Sequence, residues 1–264
     1  NDHRSRAGMA VSTSGALYSY NDVTNQIEVY NAGSDSWSNL MTGPGVGFVA
    51  RPLGNLEVTT SGRFIFTHAG TDDLYYSDGG GVWTSVDISG VTFNGQGDYD
   101  STTNTLVAGI LNNRRMVEID LTSFAPTLSS SAGSSGEFRR GGTILDGFVY
   151  QNTSSNGIDV WDLSNLAAAA TSVTQPAGTS WVGMAADREN GLLYISALSG
   201  GVFGYYDPLA NTFTALANSP SASHTSLNLV TANTIVPEPT SISLMLVGAF
   251  GIALRARRRR SWRQ

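Results

Sequence analysis

The amino-acid sequence predicts an all-β fold: a β-propeller of about five four-stranded blades, followed by one C-terminal transmembrane helix. Three observations predict it. Two landmarks repeat through the body with one period, the composition favours turns and short strands, and the C-terminus combines an apolar run with a cationic end. The boundary falls at Pro237, so residues 1–236 form the predicted propeller and residues 237–264 the tail.

The first landmark is a turn residue followed by a short apolar run. The second is a further apolar run after each of these, at residues 27–30, 73–76, 116–119, 158–161 and 202–206. A period of about 44 residues accommodates four strands of five to six residues with tight turns, which is the content of one propeller blade. The first-landmark turn residues lie 47, 42, 43 and 44 residues apart: Gly15, Gly62, Asn104, Gly147 and Gly191.

The number of blades has two readings. Five repeats fill residues 8–218, and residues 225–230 are either the strand of a sixth blade or a strand that closes the ring. The chain opens on Asn1 without an initiating Met or an apolar leader, so we expect a fragment and an incomplete ring. With a truncated N-terminus, the native ring would have six or seven blades.

Composition and charge limit the chemistry of the chain. The absence of cysteine excludes disulfide scaffolds, thiol catalysis and thiolate metal sites. All 15 basic residues are arginines, and residues 1–236 hold 9 of them against 20 acidic residues. Such an acidic body repels phosphate backbones, so no nucleic-acid partner is expected.

The tail has three parts in a fixed order. Residues 236–240, Val-Pro-Glu-Pro-Thr, are held extended by two prolines that expose Glu238. The apolar run that follows predicts a transmembrane helix over 241–254, short for a hydrocarbon core of about 30 Å. The Arg-rich end, 255–264, stays cytoplasmic by the positive-inside rule, which places the propeller outside. The cationic stop comprises Arg255, Arg257, Arg258, Arg259 and Arg260.

These three parts resemble the PEP-CTERM sorting signal of Gram-negative and related bacteria, a motif also called the ice-binding protein C-terminal domain. The resemblance covers residues 236–260 and implies recognition by an exosortase, a membrane-embedded cysteine protease. It also implies an inner-membrane stage during sorting, then a cell-surface or extracellular location linked to exopolysaccharide and biofilm. An ordinary, uncleaved tail anchor is the alternative. The implied sorting motif is Val236, Pro237, Glu238 and Pro239.

The body carries a weaker resemblance. The hairpin sequences at residues 31–37 and 206–213, Asn-Ala-Gly-Ser-Asp-Ser-Trp and Tyr-Asp-Pro-Leu-Ala-Asn-Thr-Phe, are similar to kelch or YVTN-type blades. The glycine doublet of kelch repeats occurs in the corresponding position only at Gly141-Gly142. The resemblance implies a propeller whose blades stack around an axis.

Residues 98–104 superficially resemble a calcium-binding loop, with oxygen ligands at alternate positions. However, Thr103 and Gly109 stand where such a loop needs Gly and Glu. The segment also aligns with residues 187–191 of another repeat, so we interpret both as turns. The three histidines, His3, His68 and His224, lack metal-ligand spacing. No metal site and no cofactor is therefore expected.

The acidic and basic candidates for catalysis are scattered along the chain: His68, Asp72, Asp73 and Asp98. We expect His68 to lie in a solvated loop. An enzyme needs such groups to converge on one blade face, so we predict no catalytic residue and no enzyme. The expected function is non-enzymatic binding of an extracellular polysaccharide or a surface protein, or a purely structural matrix role. The alternative is a polysaccharide lyase or hydrolase on a propeller scaffold.

Overall fold

The computed structural model describes residues 8–46, 54–111, 114–131, 138–153, 157–174, 181–197 and 203–216. Within these ranges the chain forms twenty β-strands and one three-residue 3-10 helix, Leu163–Asn165. The strands build five antiparallel sheets, each from four consecutive strands. This confirms the predicted all-β propeller and its five blades.

Each sheet is numbered by its order in the chain. The first contains β1 (Met9–Val11), β2 (Leu17–Asn21), β3 (Gln26–Asn31) and β4 (Ser36–Thr42). The second contains β5 (Gly54–Val58), β6 (Phe64–His68), β7 (Asp73–Ser77) and β8 (Thr84–Asp87). The third contains β9 (Phe93–Asp100), β10 (Thr105–Ile110), β11 (Arg115–Asp120) and β12 (Pro126–Leu128). The fourth contains β13 (Phe138–Leu145), β14 (Phe148–Thr153), β15 (Gly157–Asp162) and β16 (Thr171–Thr174). The fifth contains β17 (Trp181–Asp187), β18 (Leu192–Ala197), β19 (Phe203–Asp207) and β20 (Thr212–Ala215).

The first sequence landmark marks the turn between the first and second strands of every sheet. All five landmark residues adopt left-handed backbone conformations, with φ between 56° and 83°. Glycine adopts this region without a steric penalty and asparagine tolerates it, which explains why only these two residue types stand there. The apolar run after each landmark is the second strand of its sheet, and the second landmark is the third strand.

The hydrophobic core lies between sheets. Four clusters of buried apolar side chains each join two consecutive sheets, from the first to the fifth. Every sheet therefore contributes one face to each neighbour, as in a stack of blades around an axis. Representative pairs, in sheet order, are Ile27 and Leu56, Leu74 and Phe93, Met116 and Trp161, and Ile158 and Leu193.

Residues 217–264 lie outside the described part of the chain. The strand predicted at 225–230, the sorting motif, the transmembrane helix at 241–254 and the Arg-rich end all fall there. Within the described ranges, the structure contains no helix with the length and apolar character needed to cross a membrane.

Candidate functional site

The first strands of the five sheets surround one central cavity. Including its open mouth, the cavity has about 620 Å³ that no protein atom occupies. Its lining combines polar side chains with small or apolar ones. The residues used below are Asn55 and Glu57 of the second sheet, Asp98 of the third, Thr143 of the fourth, and Arg188 after the last strand residue of β17.

Glycines shape the cavity wall at two first strands. A Cβ atom on Gly97 would clash with the carbonyl oxygen of Val107, and one on Gly142 would lie 2.5 Å from the amide oxygen of Gln151. The strand register also shifts at both sites, between Ala108 and Ile110 and next to Gly142. The absence of side chains lets the first strands approach the second strands closely while they bend around the axis.

The carboxylate of Asp98 connects three sheets. Its Oδ2 atom accepts hydrogen bonds from Thr143 Oγ1 at 2.8 Å and from the Ile144 backbone N–H at 2.7 Å, both on β13. It also accepts one from Arg188 Nη2 at 2.8 Å. The Asp98 side chain is 17% exposed and that of Arg188 is 51% exposed, so only the acid is largely desolvated. The third sheet is therefore bonded to both the fourth and the fifth at the axis.

Glu57 is the second carboxyl group of the cavity. Burial in the narrow cavity raises its pKa well above the ordinary value, and the nearby Asp98 carboxylate adds to this effect. The Arg188 guanidinium and a hydrogen bond from the Asn55 side chain act in the opposite direction but are weaker. The Glu57 carboxyl therefore retains its proton to a higher pH than an exposed glutamate does.

Glu57→Gln should stabilise the protein at alkaline pH. A folded-state pKa above the unfolded value gives stability that is fully present below the ordinary pKa and lost as pH rises through the folded-state pKa. The loss is about 1.4 kcal/mol per pH unit between the two values. Glutamine carries no charge at any pH, so the variant should escape this loss. Its melting temperature should exceed that of the wild type by a margin that grows as the pH rises above the ordinary glutamate pKa.

The control for this titration is Glu189→Gln, in the exposed turn after β17. This variant also replaces a glutamate carboxyl by a neutral amide, but it leaves the cavity intact. The pH profile of its melting temperature should therefore follow that of the wild type. Parallel profiles for Glu57→Gln and the wild type would show that Glu57 titrates as an exposed carboxyl group.

The turn interpretation of residues 98–104 is correct for Asp100 and wrong for Asp98. Asp100 Oδ1 accepts hydrogen bonds from the Thr102 backbone N–H at 2.8 Å and its hydroxyl at 2.6 Å, as expected of a turn residue. Asp98 instead lies on β9 and lines the cavity. Residues 187–191 do form a turn, with Asn190 donating to Asp187, but this turn also carries Arg188 to the axis.

The solvated-loop prediction for His68 is wrong. His68 ends β6, whose five residues are all buried, and its side chain is shielded from water. This burial lowers the pKa of its imidazole. Asp73 lies on β7, where its carboxylate accepts hydrogen bonds from the hydroxyls of Tyr75 and Ser85. Asp72 is exposed in the preceding turn. Of the four scattered candidates, only Asp98 lines the cavity.

Sequence reasoning missed Glu57 and Arg188. The signal for Glu57 is the alternation on β5, where Asn55 and Glu57 share one face and Leu56 and Val58 pack on the other. No local pattern marks Arg188, because its partner Asp98 is 90 residues away. Among the described residues, no group of three or more His, Asp or Glu side chains is arranged to hold a metal ion.

The fold and the central site define a β-propeller with a polar axial cavity. Residues 236–260 match the PEP-CTERM protein-sorting motif, so the protein carries a sorting signal behind this propeller. The motif implies exosortase processing and a secreted protein that is associated with the membrane during sorting. The sorting-motif residues Val236, Pro237, Glu238 and Pro239 lie outside the described residues.

Solved structures share the fold at low sequence identity. A streptogramin B lyase is 14% identical, with 85% of this chain and 73% of that chain covered and a TM-score of 0.64. A virginiamycin B lyase from Staphylococcus aureus is 13% identical, with 85% and 74% covered and a TM-score of 0.63. A nidogen/laminin complex contains a chain that is 8% identical, with 86% of each chain covered and a TM-score of 0.67. No curated protein matches this chain.

Proposed function

We propose that this protein is an exosortase substrate whose propeller acts at the cell surface or in the extracellular matrix as a non-enzymatic module that binds extracellular polysaccharide. The observation that carries the proposal is the sorting motif at residues 236–260 behind a propeller domain. In this proposal, residues 241–254 hold the precursor in the inner membrane, the arginines from Arg255 to Arg260 remain cytoplasmic, and cleavage near Pro237–Pro239 releases the propeller.

The central cavity supports a binding role. It presents the Asn55 amide, the Thr143 hydroxyl and the outer N–H groups of Arg188 at a concave, solvent-connected site. A few polar groups converging in a concavity are the usual means of orienting a small polar ligand such as a sugar unit. The acidic propeller is compatible with a neutral polysaccharide, because an uncharged polymer is not repelled by the negative charge of the protein.

The same geometry argues against general-base catalysis at Asp98. Its Oδ2 atom already accepts three hydrogen bonds, so this oxygen is poorly placed to take a substrate proton. The raised pKa of Glu57 makes its carboxyl group less available as a free carboxylate than an exposed glutamate would be. A lyase or hydrolase is the second candidate because two solved structures with this fold are lyases and the cavity holds two carboxyl groups. In that case Glu57 would serve as the acid.

Affinity electrophoresis in gels cast with exopolysaccharide from the native host tests the proposal. The polymer should retard the wild type and should retard Arg188→Ala much less, because that variant lacks the guanidinium at the cavity. The matched control is Arg63→Ala, which removes an arginine that pairs with Asp78 at 2.7 Å, outside the cavity. Equal mobility of the wild type with and without polymer would contradict binding.

Size-exclusion chromatography of the polymer after incubation separates the two candidates. An unchanged chain-length distribution is expected of a binding module. Shortened chains that Glu57→Gln fails to produce would establish the enzymatic alternative.

A further inference from the structure

Within the ranges that the structure describes, the five sheets form an arc that is open between the fifth and the first sheet. Apolar clusters join the first to the second sheet, the second to the third, the third to the fourth, and the fourth to the fifth. Among the described residues, no such cluster joins the fifth sheet to the first. The first strands follow the same pattern: each is in extended contact with the next from β1 to β17, but β17 and β1 are not.

The first sheet presents apolar side chains to this opening. Val11 pairs with Leu17 just before a landmark turn, as Val58 pairs with Phe64 in the second sheet. Met9 and Val11 thus correspond to Leu56 and Val58. Leu56 is 0% exposed and Val58 6% because the first sheet covers them, whereas Met9 and Val11 remain partly exposed at the edge of the central cavity, which they line.

The fifth sheet presents an aromatic surface, made by Tyr194, Phe203 and Tyr205. The Tyr194 ring lies 5.8 Å from the Phe203 ring and 6.1 Å from the Tyr205 ring, measured between centroids. Along β18 and β19 these residues alternate with those that pack on the fourth sheet, so they face the opposite way, toward the opening. All three are partly exposed.

Tyr150 of the fourth sheet shows what normally covers this position. Tyr150 and Tyr194 each stand three residues after a landmark turn residue. Tyr150 is 7% exposed because it packs in the cluster that contains Met184 and Ala186 of β17, the first strand of the next sheet. Tyr194 occupies the equivalent position on the fifth sheet. Among the described residues, however, no first strand of a following sheet covers it. The aromatic surface is therefore equivalent to the face of the fourth sheet that packs against the first strand of the next sheet.

The chain supplies a segment at the right distance. First strands begin at residues 9, 54, 93, 138 and 181, at intervals of 45, 39, 45 and 43. The next interval reaches residues 225–230, Thr-Ser-Leu-Asn-Leu-Val, which lie outside the described ranges. In this segment Leu227 and Leu229 alternate with Ser226 and Asn228, as Leu56 and Val58 alternate with Asn55 and Glu57 in β5.

We propose that residues 225–230 dock in the opening as a sixth first strand. Leu227 and Leu229 lie against the aromatic surface, and Ser226 and Asn228 face the cavity. The occupant is intramolecular because only nine residues, 216–224, separate it from the end of the fifth sheet at Ala215, a length within the range of the connections between earlier sheets. The propeller domain then ends only a few residues before the sorting motif.

The first test compares two double variants of the full chain purified in detergent. Leu227→Asp with Leu229→Asp should lower the melting temperature by roughly 5 °C or more, because two buried apolar side chains become charged. Ser226→Asp with Asn228→Asp adds the same charge on the polar face and should change it by only about 1 °C. Equal melting temperatures for the two double variants would overturn the proposal.

The second test identifies the occupant, since a chain without cysteine permits an unambiguous cross-link. Oxidation of a Tyr194→Cys, Leu227→Cys variant should give a disulfide within one monomer. The control pair, Tyr76→Cys with Leu227→Cys, places the first thiol on the second sheet and should remain reduced. A disulfide-linked dimer would assign the opening to a second copy of the chain, and failure of the first pair to cross-link would exclude residue 227 from this surface. Either result overturns the proposal.

Discussion

Replacing Pro237, Glu238 and Pro239 with alanine should abolish removal of the tail, so that full-length protein accumulates in the inner membrane of the native host. Membrane insertion depends on the apolar run at 241–254 and on the arginines after it, which the variant retains. The two prolines favour an extended backbone at the motif, which is the feature that the proposed recognition by an exosortase requires. Without them, the membrane-inserted precursor lacks the feature by which the sorting motif is recognised.

Mass spectrometry of the mature wild-type protein is the measurement. Peptides from Thr240 onward should be absent from exported protein and present in the triple-alanine variant. Ser241→Ala with Ser243→Ala is the control, because it alters the apolar run beside the motif without touching the prolines or Glu238. Intact peptides covering Arg255–Arg260 on most exported wild-type protein would identify a plain membrane anchor instead.

Asp98→Ala should cost about 2–3 kcal/mol of unfolding free energy, or roughly 5–10 °C in melting temperature. The variant leaves the Thr143 hydroxyl and the Ile144 amide of β13 without their acceptor in a largely desolvated position. The Arg188 contribution is smaller, because its side chain is 51% exposed and water replaces the lost partner.

Asp100→Ala is the matched control for Asp98→Ala. It removes an aspartate two residues away on the same strand, whose hydrogen-bond partners, Thr102 and Thr103, both lie in the adjacent turn. Its cost should be about 1 kcal/mol or less. Differential scanning calorimetry of both variants measures the two losses of stability. Equal losses would mean that the hydrogen bonds of Asp98 between sheets add nothing to stability.

The sequence was sufficient to predict the strands and blades of the propeller, but not which side chains meet at its central cavity. Turn residues such as Gly62 and Asn104 recur because left-handed turns demand their residue types, so their spacing reveals the blades. Asp98 and Arg188 meet because a ring of strands brings residues 90 positions apart to one point. No local sequence pattern predicts that contact. The error at His68 has a related cause: a polar residue type suggested a loop, whereas β6 continues buried to that residue.

The bond between Asp98 and Arg188 also affects how the propeller unfolds. In an array where each repeat contacts only its neighbours, terminal repeats fray independently and cooperativity decays with distance. Here the third sheet holds the fifth directly, past the fourth, so the fifth sheet cannot detach without breaking a contact rooted in the middle of the array. Because the Arg188 side chain is 51% exposed, this contact adds only a small coupling between the third and fifth sheets. Exposing the strand edges of the fifth sheet therefore also requires this contact to break.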